Sequence, residues 1–287
     1  MNVEVLLSTM NNDDFKIVKK CNIHSDVLII NQCDLEKYEE KKYEFGCARI
    51  YSTKERGLSR SRNMALLNAN ADICILCDDD VVYVDNYVDI VKRAFEEVDD
   101  ADVIVFNINR VNTKVRNQEK VFRKIKKIPK HKTYGSVHIA FKKESIISKN
   151  ISFNVLFGTG SGKYSMAEDS LFFRKIHENR LKAYVYPAVI ANVSFENSSW
   201  FKGYNEKYFY DIGAFLSEAY PKTKHILKWY YPIRLKKQTT LKINEILKYI
   251  NQGFKGYKIK ESYDEFLKRN FKSSIVGVGG ENNNENK

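Results

Sequence analysis

The chain has 287 residues, 43% hydrophobic and 13% aromatic, enough for one large domain or two small ones with a sizeable core. No apolar run reaches the roughly 18 residues of a membrane span, which excludes a helical membrane-spanning protein. The excess of 48 basic over 36 acidic residues, a formal charge of +12, points to an anionic partner: a nucleotide, a nucleic acid or an acidic membrane surface.

The five cysteines are odd in number and no signal peptide precedes them, which indicates a reducing, cytoplasmic setting. Taken in order, residues 3–7 read as a buried strand that stops at the polar turn Ser8-Thr-Met-Asn-Asn12. Residues 13–21 fit a short helix. A second apolar run, 26–30, ends in Asn31-Gln-Cys-Asp34, and 48–52 is a weaker third strand. Gly57-Leu-Ser-Arg-Ser-Arg-Asn63 leads into a helix reaching about residue 70. The strand 72–77 follows and ends in Asp78, Asp79 and Asp80. Residues 84–98 are amphipathic at helical spacing, and 103–106 and 137–141 are strand-like. Phe157-Gly-Thr-Gly-Ser-Gly-Lys163 is a glycine-rich loop, and 167–178 a helix opened by Glu168 and Asp169. Two short β runs, 183–186 and 189–193, flank Pro187.

Strands alternating with helices imply an α/β domain with a largely parallel sheet. Ligands of such sheets bind at the carboxyl ends of the strands, so the polar turns after the first, second and 72–77 strands are expected to converge on one crevice. The expected division is 1–215 for the α/β domain, 216–275 for a basic, aromatic, mainly helical extension, and 276–287 for a disordered tail.

Three adjacent carboxylates at a strand end repel one another, which makes sense if a cation sits there. Asp78 and Asp80 share a face if the chain stays extended, and Asp79 then points away. Mg²⁺ or Mn²⁺ would take such oxygen ligands together with a substrate phosphate. The plainer alternative is an acidic loop capping the next helix. With Ser59 as N-cap, Arg60 and Arg62 fall in the first helical turn, where cations oppose the helix dipole. An anion at that helix start would explain them, and a pair of exposed arginines is the alternative.

The glycine-rich loop is not a Walker A motif: three residues rather than four precede Gly162-Lys163, and Tyr164 follows. It suits close approach of a substrate to backbone. Glu168 and Asp169 either stabilise a helix N-terminus or supply a general base for a sugar hydroxyl. Cys74 and Cys77 face opposite sides of a strand, which suits buried structural thiols. The stretch 110–132, dense in Lys and Arg, is a solvated face or a phosphate or acceptor contact. Trp200 is a core residue or a platform for an acceptor sugar. Ile243, Ile246, Leu247 and Ile250 form a stripe at helical spacing. Such a stripe packs on its own domain or, beside Trp229, Tyr230 and many lysines, meets a membrane surface.

The turn after the first strand, Gly57–Asn63, Asp78–Asp80 and Glu168-Asp169 occur in the order and approximate spacing of family 2 glycosyltransferases, and the chain resembles an inverting member with the GT-A fold. The resemblance implies that Asp78 and Asp80 form a DxD element holding Mg²⁺ or Mn²⁺ against a nucleotide diphosphate. It implies that Asp169 is the catalytic base. Ser8, Thr9, Asn31, Gln32, Arg60, Arg62, Asn63, Asp78 and Asp79 would bind the nucleotide-sugar, with UDP the expected nucleotide. Gly160, Glu168 and Trp200 would face the acceptor, a glycan or polyprenyl-linked hydroxyl in bacterial surface polysaccharide synthesis. Peripheral contact with an anionic membrane at its inner face is expected. Many members follow the first strand with Pro and Tyr-Asn and carry acids after the second. Here those places hold Ser8-Thr-Met-Asn11 and Asn31-Gln-Cys-Asp34.

Two rivals are weaker. A nucleotidyltransferase would want a glycine- and lysine-rich loop near the N-terminus. A nucleic-acid-binding module leaves the three carboxylates unexplained, since they repel phosphates, so no nucleic acid is expected.

Overall fold

The computed structural model describes residues 1–12, 14–111, 121–194, 201 and 203–278, with side chains through 271. Contacts divide them into two units. The first comprises 1–160 and 167–199, and the second 161–166 and 200–287.

In chain order the first unit holds β1 (Val3–Met10), α1 (Lys16–Lys20), β2 (Asp26–Gln32), β3 (Lys37–Tyr43), β4 (Gly46–Thr53), α2 (Leu58–Asn68) and β5 (Ile73–Asp78). It continues through β6 (Val81–Tyr83), α3 (Tyr87–Glu97), β7 (Val103–Val111), β8 (Lys126–Lys127), a 3-10 turn (Ser136–His138), β9 (Ile139–Lys142), α4 (Lys143–Ile147), α5 (Glu168–Glu178) and β10 (Ala183–Ser194). The strands form one sheet in the order β3-β4-β2-β1-β5-β9-β7-β10-β6, with β8 paired to β10.

The sheet is mixed rather than largely parallel. Parallel pairing is confined to β4-β2-β1-β5 and to β7 beside β10, and β9 runs antiparallel between β5 and β7. The central strands read as continuous apolar runs because both faces are covered. Val5, Leu7, Val27, Ile29, Ile75 and Cys77 pack on one face. Leu6, Leu28, Ile30, Cys74 and Leu76 pack on the other. Cys74 and Cys77 are thus buried, free thiols in separate cores, as their spacing implied.

Two features depart from the sequence reading. β3, Lys-Tyr-Glu-Glu-Lys-Lys-Tyr, is a charged hairpin partner of β4 with no apolar alternation to announce it. Its charge suits an edge strand. The two runs flanking Pro187 are one strand, β10, with register shifts between Tyr186 and Ala191 that accommodate the proline. Glu4, buried within β1, pairs with Arg49 at 2.6 Å and accepts from the Asn70 backbone N–H, also at 2.6 Å.

The second unit holds α6 (Glu206–Ala219), α7 (Lys224–Leu227), α8 (Tyr230–Leu235), α9 (Ile243–Lys258) and α10 (Tyr263–Val278). The expected boundary at 215 falls inside α6, and α10 reaches residue 278, into the expected tail. Phe209, Ile212 and Leu216 of α6 pack on Ile246, Ile250 and Phe254 of α9. The helices cross at glycines: a Cβ on Gly253 would sit 2.0 Å from the Tyr210 carbonyl, and one on Gly213 2.2 Å from the Ile250 carbonyl. Among the described residues no helix is long and apolar enough to cross a membrane.

Candidate active site

The carboxyl ends of β1, β2 and β5 lie side by side, with Ser8 in register with Asp78 and Thr9 with Asn31. The expected crevice is therefore built by the parallel block of the sheet. At its centre stands Arg62, whose side chain is 3% exposed. Its Nη1 donates to Asp169 at 2.7 Å, and its Nη2 donates to Asp78 at 3.0 Å and to the Ser136 hydroxyl at 2.6 Å. Glu168 lies 3.7 Å from Nη1. Burial alone would lower the guanidinium pKa, but the charges of Asp78, Asp169 and Glu168 outweigh it, so Arg62 stays charged.

This corrects the reading of the α2 start. The N-cap is Gly57, at φ 117°, and Ser59 instead donates its hydroxyl to the Phe157 carbonyl. Arg62 therefore sits in the second turn, facing carboxylates. The first backbone N–H groups are taken within the unit: Gly57 donates to Gln32 Oε1 at 2.6 Å and Leu58 to the Thr159 carbonyl at 2.9 Å. The loop carrying Gly160 lies so close that a Cβ on Gly57 would meet the Gly160 carbonyl at 3.1 Å. Arg60 is half-buried and donates to the Arg56 carbonyl.

Asn63 also braces the site. Its amide donates to and accepts from the Phe153 backbone, at 2.9 and 2.8 Å. The Phe153 ring lies under the Arg62 guanidinium and stacks on Phe172 of α5 at 4.1 Å. Asn31 holds the loop after β1, accepting from the Asn12 N–H and donating to its carbonyl. Ser61 donates to Ser8, and Thr9 donates to Asp79 at 2.8 Å.

The triple aspartate is not one extended run. β5 ends at Asp78, Asp79 and Asp80 form a turn, and β6 begins at Val81. The three carboxylates take different surroundings: Asp78 meets Arg62, Asp79 meets Thr9, and Asp80 is exposed. Partial desolvation, then the charges of Asp78 and Asp79, push the Asp80 carboxyl up to about 6. Among the described residues no three His, Cys, Asp or Glu side chains are grouped to hold a metal ion. A cation at Asp80 would complete its shell with substrate oxygens and water, as Mg²⁺ commonly does.

At the N-terminus of α5, Asp169 Oδ2 accepts from the Ser136 N–H at 3.1 Å. Each carboxylate oxygen accepts one bond from these partners and has a further lone pair for a hydroxyl. Glu168 packs its side chain against Gly158, whose φ is 103°. Burial, then the Asp169 charge, push its carboxyl up to about 7. Trp200 lies outside the described residues.

An open cleft of about 430 Å³ lies beside Asp79, lined by Thr9, Asn11, Asn12, Lys16 and Lys20 among others. Lys20 donates to the Asp79 carbonyl at 2.8 Å. The Asn12 amide nitrogen is buried there without a hydrogen-bond partner. Lys16 and Lys20 were not singled out in the sequence, although their i, i+4 spacing on α1 puts two cations on one face. Ser136 carried no signal at all.

Residues 25–155 match the family described as Glycosyl transferase family 2. No curated protein matches the chain. Among solved structures the chain is similar to S. aureus TarS 1-349 in complex with UDP-GlcNAc, with a TM-score of 0.61 and 15% identity over 88% of this chain and 79% of that one. TarS 1-349 in complex with UDP gives a TM-score of 0.58 at 14% identity, over the same 88% and 79%. The longer TarS chain gives 0.54 at 14% identity, over 92% of this chain and 46% of that one. The likeness is one of fold, and the fold is GT-A.

Proposed function

The chain carries a family 2 glycosyltransferase domain, and from that premise we propose that it moves a sugar from a nucleotide-diphosphate donor to a hydroxyl with inversion at the anomeric carbon. The observation that carries this reading is the Arg62 guanidinium. It ties Asp78, at the end of the donor-side strand β5, to Asp169, at the start of α5. The donor is taken to be a UDP-sugar, the class bound in the TarS 1-349 complex.

In this reading the cleft beside Asp79 takes part of the nucleotide, and Lys16 and Lys20 supply cations near it. Asp80, with Asp78 beside it, would hold Mg²⁺ or Mn²⁺, which when bound offsets negative charge on the leaving diphosphate. Asp169 accepts the proton of the acceptor hydroxyl as its oxygen bonds to the anomeric carbon and the bond to the diphosphate oxygen breaks. Arg62 and the Ser136 N–H hold Asp169 in place for that transfer. Glu168, half-buried beside it, faces the acceptor.

The acceptor in this reading is a glycan or polyprenyl-linked hydroxyl, used in bacterial surface polysaccharide synthesis at the cytoplasmic face of the membrane. The test is a screen of nucleotide-sugars for transfer or hydrolysis, with and without Mn²⁺. Asp169→Asn is expected to retain donor-induced thermal stabilisation and to lose transfer. Transfer at the wild-type rate in that variant removes Asp169 as base.

A further inference from the structure

The α9 stripe, expected to pack on its own domain or to meet a membrane surface, is largely packed, with Ile243 left 47% exposed. Ile246 and Ile250 of α9 are fully buried against α6 and α8, and Leu247 is half-buried. Exposed large apolar side chains of the helical unit include Phe201, Ile243, Ile259, Leu267 and Phe271, but four others cluster on the short segment of α7 and α8. Ile226 is 74% exposed, Trp229 50%, Tyr230 56% and Ile233 70%.

Their positions follow i, i+3, i+4 and i+7, and Lys228 and Trp229 between the two helices keep right-handed helical dihedrals. The four side chains therefore share one face. The opposite face, Leu227, Tyr231 and Leu235, packs into the core of the helical unit. The segment is thus apolar on both sides, and only one side is needed to hold it in place. An outward stripe of two isoleucines, a tryptophan and a tyrosine is what an interaction surface displays.

Charge identifies the partner. Lys222, Lys224, Lys228, Arg234, Lys236 and Lys237 lie in the same stretch, and no acidic residue falls between Glu218 and Glu245. Lys222, Arg234, Lys236 and Lys237 are exposed. A second copy docking through the same face would bring these cations together, since a two-fold interface apposes identical patches. An anionic bilayer matches both features. Aliphatic and aromatic side chains enter the headgroup boundary, Trp and Tyr favour that depth, and the cations meet anionic headgroups.

We propose that the outer face of α7 and α8 docks the protein on anionic lipid bilayers. The proposal deepens the reading of a lipid-borne acceptor by naming the surface that would bring the chain to it, and it is tested separately from that reading.

The full chain is mixed with vesicles of phosphatidylcholine alone or with an equal part of phosphatidylglycerol, and sedimented. Binding is expected only with the anionic vesicles and is expected to weaken as salt rises. In a Trp200→Phe background, the Trp229 emission should shift to the blue on binding. Ile226→Ser with Ile233→Ser should lower vesicle affinity about tenfold or more, and so should Lys236→Glu with Lys237→Glu. Neither pair should change the thermal shift produced by UDP, which reports an intact fold and donor site. Absence of vesicle binding, equal binding to neutral vesicles, or binding unchanged in both variants overturns the proposal. A dimer dissolved by Ile226→Ser and Ile233→Ser, or nucleic-acid binding in place of vesicle binding, overturns it as well. Vesicle binding with no transfer to any lipid-linked acceptor would sink the acceptor reading and leave the docking surface standing.

Discussion

Arg62 reaches Asp169 at 2.7 Å across 107 positions of sequence, and the same guanidinium holds Asp78 at 3.0 Å. One buried cation thus fixes the relative placement of a strand-end carboxylate and a helix-start carboxylate. Replacing Arg62 by Met is expected to cost about 3–5 kcal/mol, because partly buried carboxylates are left uncompensated. Arg62→Lys should fold better, yet one ammonium cannot reproduce the fork to Asp169, Asp78 and Ser136, so transfer should fall by about 100-fold or more. Denaturant unfolding and transfer rates check the two halves. Wild-type transfer in Arg62→Lys would remove Arg62 from the positioning role.

The elements that build this site were legible where burial writes a pattern. β1, β2, β5 and α5 could be read because their residues are apolar runs or follow helical spacing, and the Asp78–Asp80 cluster because charge repulsion needs a reason. What each polar residue does was less legible. Arg62, Asn63, Asn31 and Gln32 were read as ligands of a nucleotide, and all four make bonds inside the unit. A one-dimensional pattern does not reveal that Asn63 meets the backbone of Phe153, 90 residues away. Gly57 mattered more than Ser59 because its left-handed dihedral, invisible in composition, sets where α2 begins. β3 escaped because its seven residues carry four charged lysines and glutamates in addition to Lys37, with no buried face to mark it.

The turn separates the aspartates, and so should their replacements. Asp80→Asn removes the exposed carboxylate, the one free of the Arg62 and Thr9 bonds that engage Asp78 and Asp79. Its expected effect is loss of the Mn²⁺-dependent part of UDP-induced thermal stabilisation, with a melting temperature in the absence of both that is not lowered, since the replacement relieves repulsion from Asp78 and Asp79. Asp78→Asn should lower the melting temperature itself, because Arg62 loses a charged partner at 3.0 Å. If Mn²⁺ adds nothing to the effect of UDP on the wild type, the metal assignment fails. If Asp80→Asn responds as the wild type does, the metal is held elsewhere.

In the helical unit, the α6–α9 crossing depends on the absence of side chains. Gly253→Ala would put a Cβ 2.0 Å from the Tyr210 carbonyl, too close for a rotamer change to relieve because the opposing atom is backbone. The helices must move apart, and overpacking of this kind costs about 1–3 kcal/mol or more. Gly203→Ala, whose added Cβ meets nothing within 4 Å, is the matched control for space, although its φ of 90° adds some backbone strain of its own. The expected order of melting temperatures is wild type, Gly203→Ala, Gly253→Ala. A Gly253→Ala protein as stable as the wild type would mean that the two helices do not cross this closely.

Glu168 gives the chain a pH-dependent stability with a definite sign. Its carboxyl rises from an ordinary value of 4.5 to about 7 in the folded protein, through burial first and the Asp169 charge second, with Arg62 pulling the other way. Between those two pH values the folded state holds a proton on Glu168 that the unfolded chain has released. Stability from this group is therefore complete below about pH 4.5 and is lost as pH rises through about 7. A shift of that size corresponds to an effect on the order of 3 kcal/mol, reduced by coupling to Asp169 and Arg62. Glu168→Gln keeps the shape and removes the ionisation. The variant's stability relative to wild type should thus climb between pH 4.5 and pH 7 and level off above it, since only the wild type must then bury a second negative charge beside Asp169. Chemical unfolding of both proteins across that range measures the difference. A difference that stays flat, or that moves in favour of the wild type as pH rises, would mean that Glu168 is already ionised at low pH and that its burial against Gly158 does not hold the proton.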